Sequence, residues 1–245
     1  KIEIKYYLMN TVLLRENFNE EIKVIFNLLK ERKNFAFSKY ADGEYKILVN
    51  ENVTNCDGWV FNPNIDTNEY NLLLESFKYK HEDYYVGISC PCCQPIDHIK
   101  WMRDNVGSDN VTWANIFVNS NYKFFIDNFI PEFNRWEGRV VLFANKEGVN
   151  KKLPFKVDKY IPLNLTSWKE PDLSRLIDES INYSNEEENQ LFLFSAGPLG
   201  NILSYKLHQH NKNNTYIDIG STINPWVVGN NRGYLQGRDK KVCIW

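Results

Sequence analysis

Phe35-Ala36-Phe37-Ser38-Lys39-Tyr40-Ala41-Asp42-Gly43-Glu44 is the most telling segment of the chain. Its apolar residues alternate with period two and give way to a polar elbow, where two carboxylates flank a glycine. Tyr45, Ile47 and Leu48 then continue with the spacing of a helix. A strand that hands Asp-x-Glu to a helix start places acids at the carboxyl edge of an α/β sheet, where ligands bind in open α/β folds. Two carboxylates held that close need a cation between them, a shared proton or a basic substrate. The cation is the first expectation.

Outward from this stretch, apolar runs of strand length recur at 84–89, 113–118, 139–144, 157–161, 190–195, 215–219 and 241–244, after a first strand at 34–38. Helical periodicity fills 18–33, 44–50, 68–80, 96–105, 121–130, 172–183 and 199–210. Near-continuous apolar strands alternating with helices predict a Rossmann-like α/β fold, a mainly parallel sheet with helices on both faces. No Pro/Gly/Ser-rich linker or internal repeat divides residues 1–245, so one domain is expected, with 1–17 as an N-terminal arm or edge strand.

Composition narrows the classes. Hydrophobic residues make up 43% of the 245, enough for a large core. A formal charge of −2 offers no basic face for nucleic acid. No apolar run approaches the roughly 18 residues of a membrane span, so a soluble chain is expected. Residue 1 is Lys rather than Met, which reads as a trimmed terminus. The five cysteines, Cys56, Cys90, Cys92, Cys93 and Cys243, are an odd set for a disulfide framework and fit a reducing, cytoplasmic compartment. Cys90-Pro91-Cys92-Cys93 looks like half of a metal knuckle without a paired second half, so reduced thiols beside a site loop are expected there. His208 and His210 close a helix and are expected to complement its dipole.

A second strand–turn–helix follows at 190–207, where Gln190-Leu191-Phe192-Leu193-Phe194 leads through Ser195-Ala196-Gly197-Pro198-Leu199-Gly200-Asn201 into Ile202 and Leu203. Small residues at such a turn let backbone amides approach a phosphate, and a helix N-terminus favours negative charge. A tight turn shaped by glycine geometry is the plainer alternative. Thr215-Tyr216-Ile217-Asp218-Ile219-Gly220-Ser221 is a third strand ending in an acid and a glycine.

In order, Lys39-Tyr40-Ala41-Asp42-Gly43-Glu44, Asn115-Ile116-Phe117-Val118-Asn119, Ala196-Gly197-Pro198 and Asp218-Ile219-Gly220 resemble the segments of the GT-D fold of glycosyltransferases over roughly residues 20–225. The chain departs from that pattern at Lys39 (usually Arg, so the charge stays and the bidentate fork is lost), at Ala41 (a glycine) and at Ser221 (frequently His). The resemblance implies transfer of a sugar from a nucleotide donor, typically a UDP-sugar, to a hydroxyl of a glycan acceptor, and a divalent ion held by the Asp-x-Glu pair.

On that basis Asp42 and Glu44 share metal and base work, Asp42 being the first choice as base, with Asp218 in reserve. Mn²⁺ or Mg²⁺ would offset charge on the leaving diphosphate. Ser38, Lys39, Gly43, Asn115, Asn119, Gly197, Pro198, Leu199 and Gly200 are the expected donor-binding residues, and Tyr122 a weaker one. Asp42 as a helix N-cap and Asp218 as a solvated strand end are the structural alternatives. Trp59, Trp113, Trp168 and Trp226 lie near expected loops, where a ring can stack on a sugar or simply fill core. An inverting transferase is the expectation; a metal-dependent phosphosugar or nucleotide hydrolase and a non-catalytic binding module are the alternatives.

Overall fold

The computed structural model describes residues 18–229 and 232–235. Seven strands of these residues form one sheet in the order β5-β4-β1-β9-β8-β6-β7. They are β1 (Ala36–Lys39), β4 (Tyr84–Ile88), β5 (Asn110–Trp113), β6 (Val140–Asn145), β7 (Lys159–Leu163), β8 (Leu191–Phe194) and β9 (Thr215–Asp218). Every pairing in it is parallel. β2 (Val53–Thr54) and β3 (Val60–Phe61) form a separate antiparallel hairpin. The possible arm at 1–17 and the strand expected at 241–244 lie outside the described residues.

Consecutive residues of β8 and β9 are all buried, as are the first five of β6. Neighbouring side chains on a strand point to opposite faces, so the middle of the sheet is covered on both. The helices that cover it match the sequence periodicity closely. α1 (Phe18–Lys30) buries Ile22, Ile25 and Leu29 along one stripe and carries Glu20 and Glu21 in its first turn, the sign its dipole favours. α2 (Asp42–Leu48), α3 (Thr67–Lys78), α4 (Ile96–Asn105), α5 (Asp172–Ser184) and α6 (Pro198–His210) follow. Among the described residues no helix is long and apolar enough to cross a membrane.

Two expectations shift. The strand at 113–118 is instead Asn110–Trp113, in register Tyr85↔Asn110 through Ile88↔Trp113. After Ala114 donates to Ile88 at 2.7 Å, the chain turns, with Ile116 donating to Trp113 and Val118 to Asn115. Ile116 and Phe117 are buried in that turn, Phe117 edge-on to Phe37 at 5.2 Å. A buried turn and a buried strand present the same apolar run. The helix at 121–130 continues to Asn134 through a π-turn at Phe125–Phe129, where Phe125 stacks on Phe129 at 5.5 Å.

Candidate functional site

β1 and β9 are hydrogen-bonded neighbours at the centre of the sheet, and β1 sends its chain away toward β4. A ligand crevice forms where strand order reverses in this way, outside the carboxyl ends. The residues leaving those ends build the candidate site.

Beyond β1, Ala41 rather than Asp42 is the N-cap of α2, and Asp42 is the first helical residue, exposed to solvent. Glu44, two residues on, is buried with 8% of its surface exposed, and its Oε2 accepts the Ala41 N–H at 3.0 Å. This carboxylate reaching back to the cap is the return half of a capping box. The helix begins inside the Asp-Gly-Glu motif, so its two acids diverge, one outward and one inward. Gly43 between them faces the Trp59 ring. A Cβ there would stand 2.9 Å from Trp59, too close for any other residue without displacement.

Asp218 ends β9 and is 3% exposed, which removes the solvated-strand-end alternative. Its Oδ1 accepts the Gly220 N–H at 2.9 Å. Gly220 takes φ +52, and any side chain on it would overlap the Lys39 methylenes, so this glycine lets Lys39 lie across the end of β9. Burial pushes Glu44 up to about 7, with Lys39 pulling down and the Asp218 charge adding to the rise. Burial likewise pushes Asp218 up to about 6 against Lys39 and the backbone N–H groups of Gly220 and Lys39. Lys39 thus serves both acids without cancelling the cost of enclosing them.

Beyond β8, Gly197 is the N-cap of α6 with φ +55, half-exposed, and a Cβ on it would meet Trp59 Nε1 at 3.2 Å. Trp59 therefore touches both the acid turn and the Gly-Pro turn. Pro198, Leu199 and Gly200 are buried. Gly200 N–H donates to Gly197 O at 2.9 Å, so that amide is already committed and does not point at a phosphate. Gly200 instead gives Asp218 room: a Cβ there would lie 3.6 Å from the Asp218 carboxyl carbon.

Ser38, expected to face a phosphate, is fully buried and turned into the protein, where its Oγ accepts from Asn201 Nδ2 at 3.0 Å. Asn201 also donates to Lys39 O at 2.7 Å, which ties α6 to the end of β1. Beyond β5, Asn115 and Asn119 are half-buried, Asn115 Nδ2 lying 3.8 Å from Cys90 Sγ. Tyr122 donates to Thr222 O at 2.8 Å, joining that segment to the turn after β9, and burial lifts its hydroxyl to about 12.

In the sequence Trp59 reads only as a ring near a loop, and Asn201 does not stand out from its turn. Trp59 pairs edge-on with Trp168 at 5.6 Å, and the β2–β3 hairpin presents it to both glycine turns. The signal available was the two-glycine arrangement itself, since close-packed glycines imply a bulky neighbour. A cavity of about 510 Å³ lies elsewhere, lined by Val60, Ile65, Asp66, Glu69 and Lys169 among others. It includes none of the acid-turn residues, and Asp66 pairs with Lys169 across it.

The acids suit an ion shared with a ligand better than a closed cage. Among the described residues, only the thiols of Cys90, Cys92 and Cys93 bring three metal-ligating side chains together; Asp42, Glu44 and Asp218 do not. A hard divalent ion such as Mg²⁺ is commonly held by one or two carboxylates plus substrate phosphates, and Asp42 is the exposed carboxylate at this edge.

No protein-family model matches the chain, and no curated protein matches its sequence. Two solved structures share the fold. One is described as "The highly conserved domain of unknown function 1792 has a distinct glycosyltransferase fold", with TM-score 0.56 and 13% identity over 87% of this chain and 79% of that chain. The other is a selenomethionine-substituted structure of domain of unknown function 1792, with TM-score 0.58 and the same identity and coverage. The chain is thus an α/β protein with a glycosyltransferase-like fold.

Proposed function

We propose that the chain is an inverting glycosyltransferase that moves a sugar from a UDP-sugar donor to a hydroxyl of a glycan acceptor. The observation that carries this reading is the meeting of three turns at one carboxyl edge. The acid turn and the Gly-Pro turn both touch Trp59, while Lys39 and Asp218 end the neighbouring strands β1 and β9. The shared fold supports it.

Mn²⁺ or Mg²⁺, held by Asp42 with Glu44 behind it, would supply charge stabilisation for the departing diphosphate. Asp42 suits the outer position because it is exposed at the start of α2. Lys39 adds a fixed positive charge beside the same edge, and the N-terminus of α6 adds its dipole. Glu44 and Asp218 titrate at about 7 and about 6, so the pair can take a hydroxyl proton near neutrality and hold it away from water. Glu44 therefore replaces Asp42 as the preferred base, with Asp218 retained in reserve. The four described cysteines are not in disulfides, consistent with work in a reducing cytoplasm.

The test is a screen of nucleotide sugars with and without Mn²⁺, reading nucleotide release and product. Release that requires the ion, rises with a glycan acceptor and disappears in Asp42→Ala and Glu44→Ala is expected. Full activity in both variants rejects the assignment. Free sugar or phosphate released regardless of acceptor indicates a hydrolase, and donor binding without turnover a binding module.

A further inference from the structure

We propose that Cys90, Cys92 and Cys93 form a three-thiolate site for a divalent ion, zinc, at the same carboxyl edge as the acid turn but sharing no ligand with it. β4 ends at Ile88, and the next turn folds so tightly that Cys93 and Gln94 both donate to Cys90 O, at 3.1 and 3.0 Å. Pro91 presets the turn by fixing its own φ. The result is that three sulfurs from four consecutive residues lie within 4.8 Å of one another, Cys90 and Cys92 at 3.1 Å and Cys92 and Cys93 at 3.8 Å.

A zinc–sulfur bond of about 2.3 Å in a tetrahedral site sets sulfurs about 3.8 Å apart. Cys92 and Cys93 already stand at that spacing and Cys90 lies closer to Cys92, so an ion needs side-chain rotations that move the Cys90 and Cys92 sulfurs apart. The missing second half of the knuckle is no obstacle, because one turn supplies three ligands. Cys90 is buried and Cys92 exposed, so the site is anchored on the sheet side and open on the other. Among the described residues the turn supplies three ligands, and a tetrahedral zinc site takes its fourth from water or another group. Asn115 Nδ2, 3.8 Å from Cys90 Sγ, is placed to donate to that thiolate as an outer partner. Binding exchanges the three thiol protons for the ion, and the protons leave to solvent. The turn also opens α4, whose His98 stacks on Tyr45 of α2 at 4.1 Å, so an ion here steadies the helix packed against the acid turn.

The experiment titrates the full chain, reduced and stripped by chelator, with Cd²⁺ and follows thiolate-to-cadmium charge-transfer absorption, then displaces it with Zn²⁺. One ion per chain is expected, with affinity falling about 10-fold or more in Cys92→Ser and in Cys93→Ser. Cys56→Ser should leave it unchanged. Cys92 is exposed, so its variant should fold, and circular dichroism checks this. A wild-type chain without the absorption band, or a double variant C92S/C93S that keeps it, overturns the proposal. No donor enters the readout, so failure here is distinct from failure of the transferase reading.

Discussion

Helix α6 encloses an ionisable group near each of its ends, and the two are treated in opposite ways. At its first turn, Gly200 makes room for the Asp218 carboxyl, which shares Lys39 with Glu44 and titrates at about 6. At its last turn, His208 is 1% exposed and ringed by Tyr79, Tyr84, Tyr216 and His81. Burial, then the nearby His81 and Lys212, drives His208 down to about 3, so it is neutral at physiological pH. It cannot complement the helix dipole as a cation, as its place in the sequence implies. Its Nδ1 sits 3.3 Å from Tyr79 Oη. Burial is common to both ends. What separates a candidate site from core is the countercharge, the backbone donors and the exposed neighbour, Asp42, that only the first end has.

The largest break between the two ends should come from Asp42. Asp42→Ala is expected to lower donor turnover by about 100-fold or more, whereas His208→Phe should leave turnover within about 2-fold, since it only exchanges one buried ring for another. Initial-rate assays of nucleotide release on both variants check this.

Next is the packing that brings the turns together. Gly43→Ala must push Trp59 aside and is expected to cost about 1–3 kcal/mol in urea unfolding. In a Trp59→Ala background the same change should cost clearly less, and a double-mutant cycle that shows no coupling contradicts the contact.

The acids and the histidine should then show opposite pH signatures. Glu44 is raised from 4.5 to about 7, so its contribution is fully present below pH 4.5 and lost as pH rises through 7. Glu44→Gln is therefore expected to stabilise the fold above pH 7 by on the order of 1–3 kcal/mol, and to lose that advantage below about pH 4.5. His208 is depressed from 6.5, so the unfolded chain takes up a proton below pH 6.5 that the folded chain refuses. Stability should fall by about 1 kcal/mol between pH 7 and pH 5.5 from this residue alone. His208→Phe should flatten that segment of the curve, the smallest of these effects. Thermal melts across pH 4–8 read both.

Periodicity made the centre of the sheet legible because β6, β8 and β9 are nearly or wholly buried runs, whereas β7 at the edge is neither alternating nor buried and lies two residues beyond the expected 157–161. The same signal failed at Ile116 and Phe117, where burial comes from a turn under Phe37. Asp42, Glu44 and Asp218 were legible as acids at strand ends, but the unequal burial of Asp42 and Glu44 depends on Ala41 taking the cap, so that Asp42 is the first helical residue. The hairpin bearing Trp59 has strands of two residues each, too short for any periodicity. The thiol cluster hid for a different reason: sequence spacing suggested an incomplete site, while the turn brings all three sulfurs together.

Whether Asp42 holds an ion shared with the donor can be read by isothermal titration of UDP into the wild-type chain and Asp42→Ala, each with and without Mn²⁺. Binding that needs Mn²⁺ in the wild type and vanishes in the variant is the result this account predicts. Binding of equal strength in all four titrations, or none in the wild type with the ion present, would contradict it.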